Sequence, residues 1–84
     1  MAYHIEFTTA AARQLRKLPA DIQAHLAPHI SALKENLRPL GSKKLKGTDG
    51  FRIRVGVYRI LYEIQQADSV VLIVKVGHRR DVYR

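Results

Sequence analysis

The stretch Phe51-Arg52-Ile53-Arg54-Val55-Gly56-Val57-Tyr58-Arg59-Ile60-Leu61-Tyr62-Glu63-Ile64 decides the fold. Its first five residues alternate strictly. Successive side chains of a strand point to opposite faces, so Phe51, Ile53 and Val55 turn to one side and Arg52 and Arg54 to the other. Gly56-Val57 is short enough for a two-residue hairpin, with glycine supplying a positive φ. On the return strand the same alternation buries Tyr58, Ile60, Tyr62 and Ile64. It turns Arg59, Leu61 and Glu63 outward. The pattern is a hairpin with one apolar face and three arginines on the other. A sheet with one apolar face needs a layer to cover it.

The residues upstream supply that layer. Tyr3–Phe7 reads as a short first strand. Thr8 or Thr9 can cap a helix in which Ala11, Leu15 and Leu18 share a face, with Arg13, Arg16 and Lys17 pointing away. Pro19 ends this helix and suits the start of the next. Ile22, Leu26, Ile30, Leu33 and Leu37 recur at three- and four-residue steps, predicting a second helix from about Ala20 to Leu37. Pro28 lies inside it, and a kink or break is expected there. Downstream, Lys43–Leu45 can add a short edge strand and Gly47-Thr48-Asp49-Gly50 is a turn. Gln65–Ser69 is another turn. Val70–Val76 reads as a central, nearly all-apolar strand ended by Gly77, and residues 78–84 as a charged tail. The expected fold is α+β. Its order is β-α-α-β-β-β, with an antiparallel-rich sheet and an N-terminal helical hairpin on one face.

The chain has 84 residues, enough for one domain spanning residues 1–84 and no separate cofactor domain. Cysteine is absent, which excludes disulfides and thiolate metal sites. Fifteen Lys+Arg against seven Asp+Glu give a net charge of +8. Residues 1–42 carry +2 of it and residues 43–84 carry +6. At 46% apolar residues the chain is too hydrophobic for a disordered basic tail. A folded basic domain of this kind expects an anionic partner, a nucleic acid or an acidic protein. The longest wholly apolar run, Val70–Val74, falls far short of the ~18–20 residues that span a bilayer. With no leader pattern at the start, a cytoplasmic protein without membrane association is expected.

Three segments in order carry a family resemblance: Lys43-Lys44-Leu45-Lys46-Gly47, then Phe51 to Ile64, then Val76-Gly77-His78-Arg79-Arg80-Asp81-Val82-Tyr83. With the Leu18-Pro19 junction, they resemble the RelE/ParE superfamily of bacterial toxins from type II toxin–antitoxin systems. Arg59, Arg79 and Tyr83 place the resemblance in the RelE branch, whose members cut messenger RNA in the ribosomal A site without metal. The resemblance implies an endoribonuclease (an mRNA interferase) that inhibits translation and needs no cofactor. It also implies a cognate acidic, RelB-like antitoxin. The ribosome and messenger RNA are the implied targets, and promoter DNA is contacted only through the antitoxin complex. The alternatives are a ParE-like inhibitor of DNA gyrase and a basic domain that binds nucleic acid without cutting it.

In such cleavage a ribose 2′-hydroxyl attacks the adjacent phosphate. The reaction needs in-line geometry, cations as charge grows, and groups that take and give protons. By the resemblance, Arg59 holds the scissile phosphate, Arg79 stabilises or protonates the leaving oxygen, and Tyr83 orients the 2′-hydroxyl or stacks on a base. Lys43, Lys44, Lys46, Arg80 and Arg84 grip ribosomal RNA. Two positions depart from the family pattern. Arg52 and Arg54 stand where lysines are frequent, one of them a proposed general base, and arginine does not give up its proton. Val57 stands where the turn commonly has Asp. A base, if used, is His78, Tyr83 or Lys46, with His78 the best matched to neutral pH. The rival is catalysis by orientation and charge alone.

Bland readings stand beside these. Arg52 and Arg54 also read as solvent-facing strand residues, Tyr58 and Tyr62 as core, and Tyr83 as a frayed end. His25 and His29 sit four apart on the second helix. With no third ligand evident, no metal site is expected.

Overall fold

The computed structural model describes residues 3–82. The elements run β1 (His4–Phe7), α1 (Thr9–Arg16), α2 (Ala20–Ala32), β2 (Lys43–Lys44), β3 (Gly50–Val55), β4 (Tyr58–Gln65), a 3-10 turn (Gln66–Asp68) and β5 (Val70–His78). The five strands form one sheet in the order β1-β5-β4-β3-β2. β1 runs parallel to β5, and every other pairing is antiparallel. The expected α+β architecture is what the chain adopts, with the short edge strand present.

Local chemistry explains the helical layer. The Thr8 hydroxyl accepts from the Ala11 amide at 3.0 Å, satisfying one of the free N–H groups of the first turn of α1. At the α1–α2 corner, the Gln23 side-chain amide donates to the Leu18 carbonyl at 2.8 Å and to that of Arg16 at 3.3 Å. These carbonyls lie where α1 ends and would otherwise have only water. Leu26, Ile30 and Leu33 are buried and Ile22 and Leu37 half-buried, the stripe that the spacing predicts. They meet Ile53, Ile60, Tyr62, Val71, Ile73 and Val76 from the sheet in one core.

The second helix departs from expectation in two ways. It runs unbroken through Pro28. Both Pro28 and Ala24, whose carbonyl loses its usual donor, are exposed, so water can replace the missing bond. The helix then ends at Ala32 rather than near Leu37. The amides of Leu33 and Lys34 bond to Ile30 and Ser31, three residues back, and those of Glu35 and Asn36 both bond to Ala32. This tightened exit brings the Leu37 carbonyl under the Tyr62 hydroxyl, which donates to it at 2.8 Å. A tertiary bond thus holds the non-helical end of the apolar stripe against the sheet.

β5 also departs from expectation. It continues through Gly77 to His78. Its register with β4 slips by one residue, because Tyr62 faces Ile73 while Leu61 faces Lys75. Val74 is the extra residue, and the strand bulges there. Among the described residues, no helix is long and apolar enough to cross a membrane.

Candidate functional site

One face of the sheet is covered by the helices. The other carries the arginines, in rows that the pairing defines. Lys43, Arg52, Leu61 and Lys75 lie side by side across β2, β3, β4 and β5. The next row towards the hairpin is Arg54, Arg59 and Gly77. At the opposite end of the face, Glu63, Leu72 and Glu6 form a row with two carboxylates. The face is therefore polarised, with its cations gathered at the Gly56-Val57 end.

Arg54 and Arg59 stand directly opposite one another. Such partners have Cβ atoms about 4.5–5.5 Å apart, and like charges placed there repel. A phosphate between them converts this repulsion into attraction. The hairpin tip holds the site together. Gly56 adopts a φ of 60°, a conformation open to glycine at little cost. The Arg59 guanidinium donates through Nη1 to the Gly56 carbonyl at 3.1 Å and to that of Tyr58 at 3.0 Å. One nitrogen is thereby fixed, and the remaining donors of the fork are oriented by it. The next carbonyl, that of Val57, accepts the Arg79 backbone amide at 2.7 Å. The same two-residue turn thus anchors both arginines that the resemblance singles out.

The segment after β5 folds back rather than trailing away as a charged tail. The amides of Asp81 and Val82 both bond to the His78 carbonyl, and Val82 is only 2% exposed. A Cβ built on Gly77 would lie 3.3 Å from Val82 Cγ2, so Val82 is seated on the glycine opposite Arg59. Leu61, outward by alternation, is 8% exposed, and Arg52 is 7% exposed. Leu61 and Val82 are buried outside the main core, as a small apolar cover on the arginine face. Arg52 is accordingly not a solvent-facing strand residue: nearly the whole residue is enclosed, whereas Arg54 is exposed.

The other expected site residues divide. Lys43 joins the arginine face, but Lys44 pairs with Phe51 and falls on the helix side. Lys46 lies in the exposed turn beyond β2, and Arg80 is exposed. Tyr83 and Arg84 lie outside the described residues. His78 pairs with Tyr58, on the row facing the helices, and its ring meets that of Tyr58 edge-on at 5.9 Å. Its Nδ1 accepts the Arg80 amide at 3.2 Å. The neutral ring therefore carries its proton on Nε2. The structure does not bring this imidazole onto the arginine face. Tyr62 is core, and burial holds its hydroxyl above the ordinary 10.0, partly offset by the Ser42 hydrogen bond and the Arg38 charge. Tyr58 is half-buried against the core. His25 and His29 lie with ring centroids 5.8 Å apart, and no group of three metal-ligating side chains occurs among the described residues.

Lys75 is the site-face residue that pattern reading passes over. Val71 and Ile73 are buried, and strict alternation would send Lys75 into the core with them. A lysine at a core position of an otherwise apolar strand is itself the signal of a bulge.

Fold and site together define a small α+β domain that gathers guanidinium groups on one sheet face. Residues 5–83 match the ParE toxin of type II toxin–antitoxin systems, and the chain belongs to this toxin family. It is 42% identical over 89 residues to Toxin RelG of Mycobacterium tuberculosis, a match covering all of this chain and 99% of that one. It is 28% identical over 82 residues to the mRNA interferase toxin RelE of Escherichia coli K12, covering 94% of this chain and 85% of the relative. The toxin–antitoxin complex RelBE2 of M. tuberculosis contains a chain that superposes with a TM-score of 0.81 at 36% identity, covering 94% of this chain and all of that one.

Proposed function

We propose that this chain is the toxin of a type II toxin–antitoxin pair and acts as a ribosome-dependent mRNA interferase. The observation that carries the reading is the hairpin tip, where Arg54 and Arg59 face each other and Arg79 is tied to the same turn. The names RelG and RelE of the relatives support the RNA-cleaving branch.

In this reading the 2′-oxygen of one nucleotide attacks the neighbouring phosphorus in line, and the 5′-oxygen of the next nucleotide leaves. The 2′-hydroxyl gives its proton to water and the departing 5′-oxygen takes one from water, so the products are a cyclic phosphate and a free 5′-hydroxyl. Arg59, braced against the Gly56 and Tyr58 carbonyls, grips the non-bridging oxygens with its free donors, and Arg54 adds charge from across the strand pair. Arg79 stabilises the leaving oxygen by hydrogen bonding, because a guanidinium does not surrender its proton. The family resemblance assigns the Tyr83 phenol to the 2′-hydroxyl. With His78 turned to the helix side, rate enhancement rests on orientation and charge. Slow catalysis suits a ribosome that holds the substrate in place. The enzyme acts in the cytoplasm. An acidic RelB-like antitoxin neutralises it by covering the cationic face.

The test is induced expression of the parent and Arg59→Ala, with growth curves and primer extension on one transcript. The parent should arrest growth and leave codon-positioned breaks, and the variant should do neither. Intact transcripts with accumulating double-strand DNA breaks would transfer the chain to the gyrase-directed reading. Neither effect, with salt-sensitive nucleic-acid binding, would leave a non-catalytic binder.

A further inference from the structure

We infer that Lys75 is a further RNA-contacting cation of this face, delivered by the β5 bulge and held in place by Gln14. The inference deepens the mRNA-interferase reading and rests on it for the identity of the anion. Lys75 is the charged residue in the otherwise apolar run Val70–Val76. A lone ammonium in the core would cost several kcal/mol. The extra residue at Val74 removes that cost, because the core face passes from Ile73 directly to Val76, both buried. Lys75 then stands beside Leu61 in the row of Lys43 and Arg52.

The Val76 amide donates to the Gln14 side-chain oxygen at 2.9 Å. Gln14 lies on α1, 62 residues away in sequence, so the helical layer holds the register from behind while Lys75 is displayed in front. Bulges beside functional sites commonly re-aim one side chain in this way.

The placement suits phosphate. Gly77 faces Arg59, so Lys75 is a diagonal neighbour of Arg59, about 7–8 Å between Cα atoms and within reach of long side chains. Arg52 is two strands away, about 9–10 Å. Lys75 is half-buried, with its stem beside the enclosed Leu61, as expected of a lysine that covers apolar surface. An ammonium is a compact point charge without the geometric demands of a fork. It can hold a phosphate flanking the one that Arg59 and Arg54 grip.

The test uses the full chain with Lys75→Met, which keeps the stem, Lys75→Arg, which keeps the charge, and Lys34→Met, an exposed lysine on the helical side, as control. Two quantities are read: single-turnover cleavage on programmed ribosomes, and the salt dependence of binding to a short single-stranded RNA bearing 2′-O-methyl groups. Lys75→Met should slow cleavage about 10–100-fold and lower the salt slope by about 0.7, the increment of one phosphate contact on a single strand. Lys75→Arg should stay within about threefold of the parent in rate, and Lys34→Met should change neither quantity. If the parent does not cleave but Lys75→Met lowers the slope, the interferase reading falls and the Lys75 contact stands. Cleavage within about twofold of the parent, with an unchanged slope, overturns the inference.

Discussion

Replacing Gln14 by Met tests whether the register of the site strand is held from the helical layer. Methionine matches glutamine in length but offers no comparable acceptor. The Val76 amide, on a residue only 3% exposed, would lose its 2.9 Å partner. A buried donor left unsatisfied costs about 1–3 kcal/mol, and because this bond is only partly buried the lower part of that range, about 1–2 kcal/mol, applies. For 84 residues the unfolding entropy near 60 °C is about 0.18 kcal/mol/K, so Tm should fall by about 6–11 °C. Amide hydrogen exchange gives the local readout. Val76 should exchange about 5–30-fold faster, with a smaller change at Ile60, across the ladder. Gln14→Glu keeps an oxygen acceptor and should recover most of both losses. The losses in cleavage caused by Gln14→Met and Lys75→Met should be less than additive, since one acts through the other. A Tm within about 2 °C of the parent, together with unchanged Val76 protection, would refute the assignment of Gln14.

Tyr62→Phe removes the donor to the Leu37 carbonyl and should cost about 0.5–1.5 kcal/mol in urea denaturation near neutral pH. Because burial raises the Tyr62 pKa above 10.0, the folded state binds more protons than the unfolded state once pH passes that value. The parent's contribution is therefore complete below pH 10 and is lost as pH rises through the folded pKa, so the gap between parent and variant should narrow there. His78→Ala should leave the pH dependence of cleavage unchanged, because the ring lies on the Tyr58 side of the sheet. Loss of a basic limb near neutrality in the pH–rate profile would restore the imidazole as the base.

Much of the architecture was legible because period-two alternation and helical spacing are local signals. Phe51, Ile53 and Val55 face the core, and Arg54 and Arg59 share the outer face, because adjacent peptide units force that geometry. The buried stripe Leu26, Ile30 and Leu33 follows equally from 3.6 residues per turn. What stayed hidden depended on partners distant in sequence. The exit of α2 answers to Tyr62, 25 residues beyond Leu37. The bulge that turns Lys75 outward answers to Gln14. The assignment of His78 to the arginine cluster rested on its imidazole chemistry, and its pairing with Tyr58 places it on the other face.

By itself the sequence determined a basic α+β domain with arginines concentrated on one side of a hairpin, since alternation and charge are written residue by residue. Only the tertiary structure decided which cations lie together. Pairing of β3 with β4 set Arg54 against Arg59. The Gly56-Val57 turn tied Arg79 to them, and the bulge brought in Lys75. The same register sent Lys44 and His78 to the helix side. The physical reason is that a strand residue's face depends on counting through every pairing and bulge before it. One inserted residue reverses that count, and nothing local to Val74 records the insertion except a lysine where the core would otherwise be.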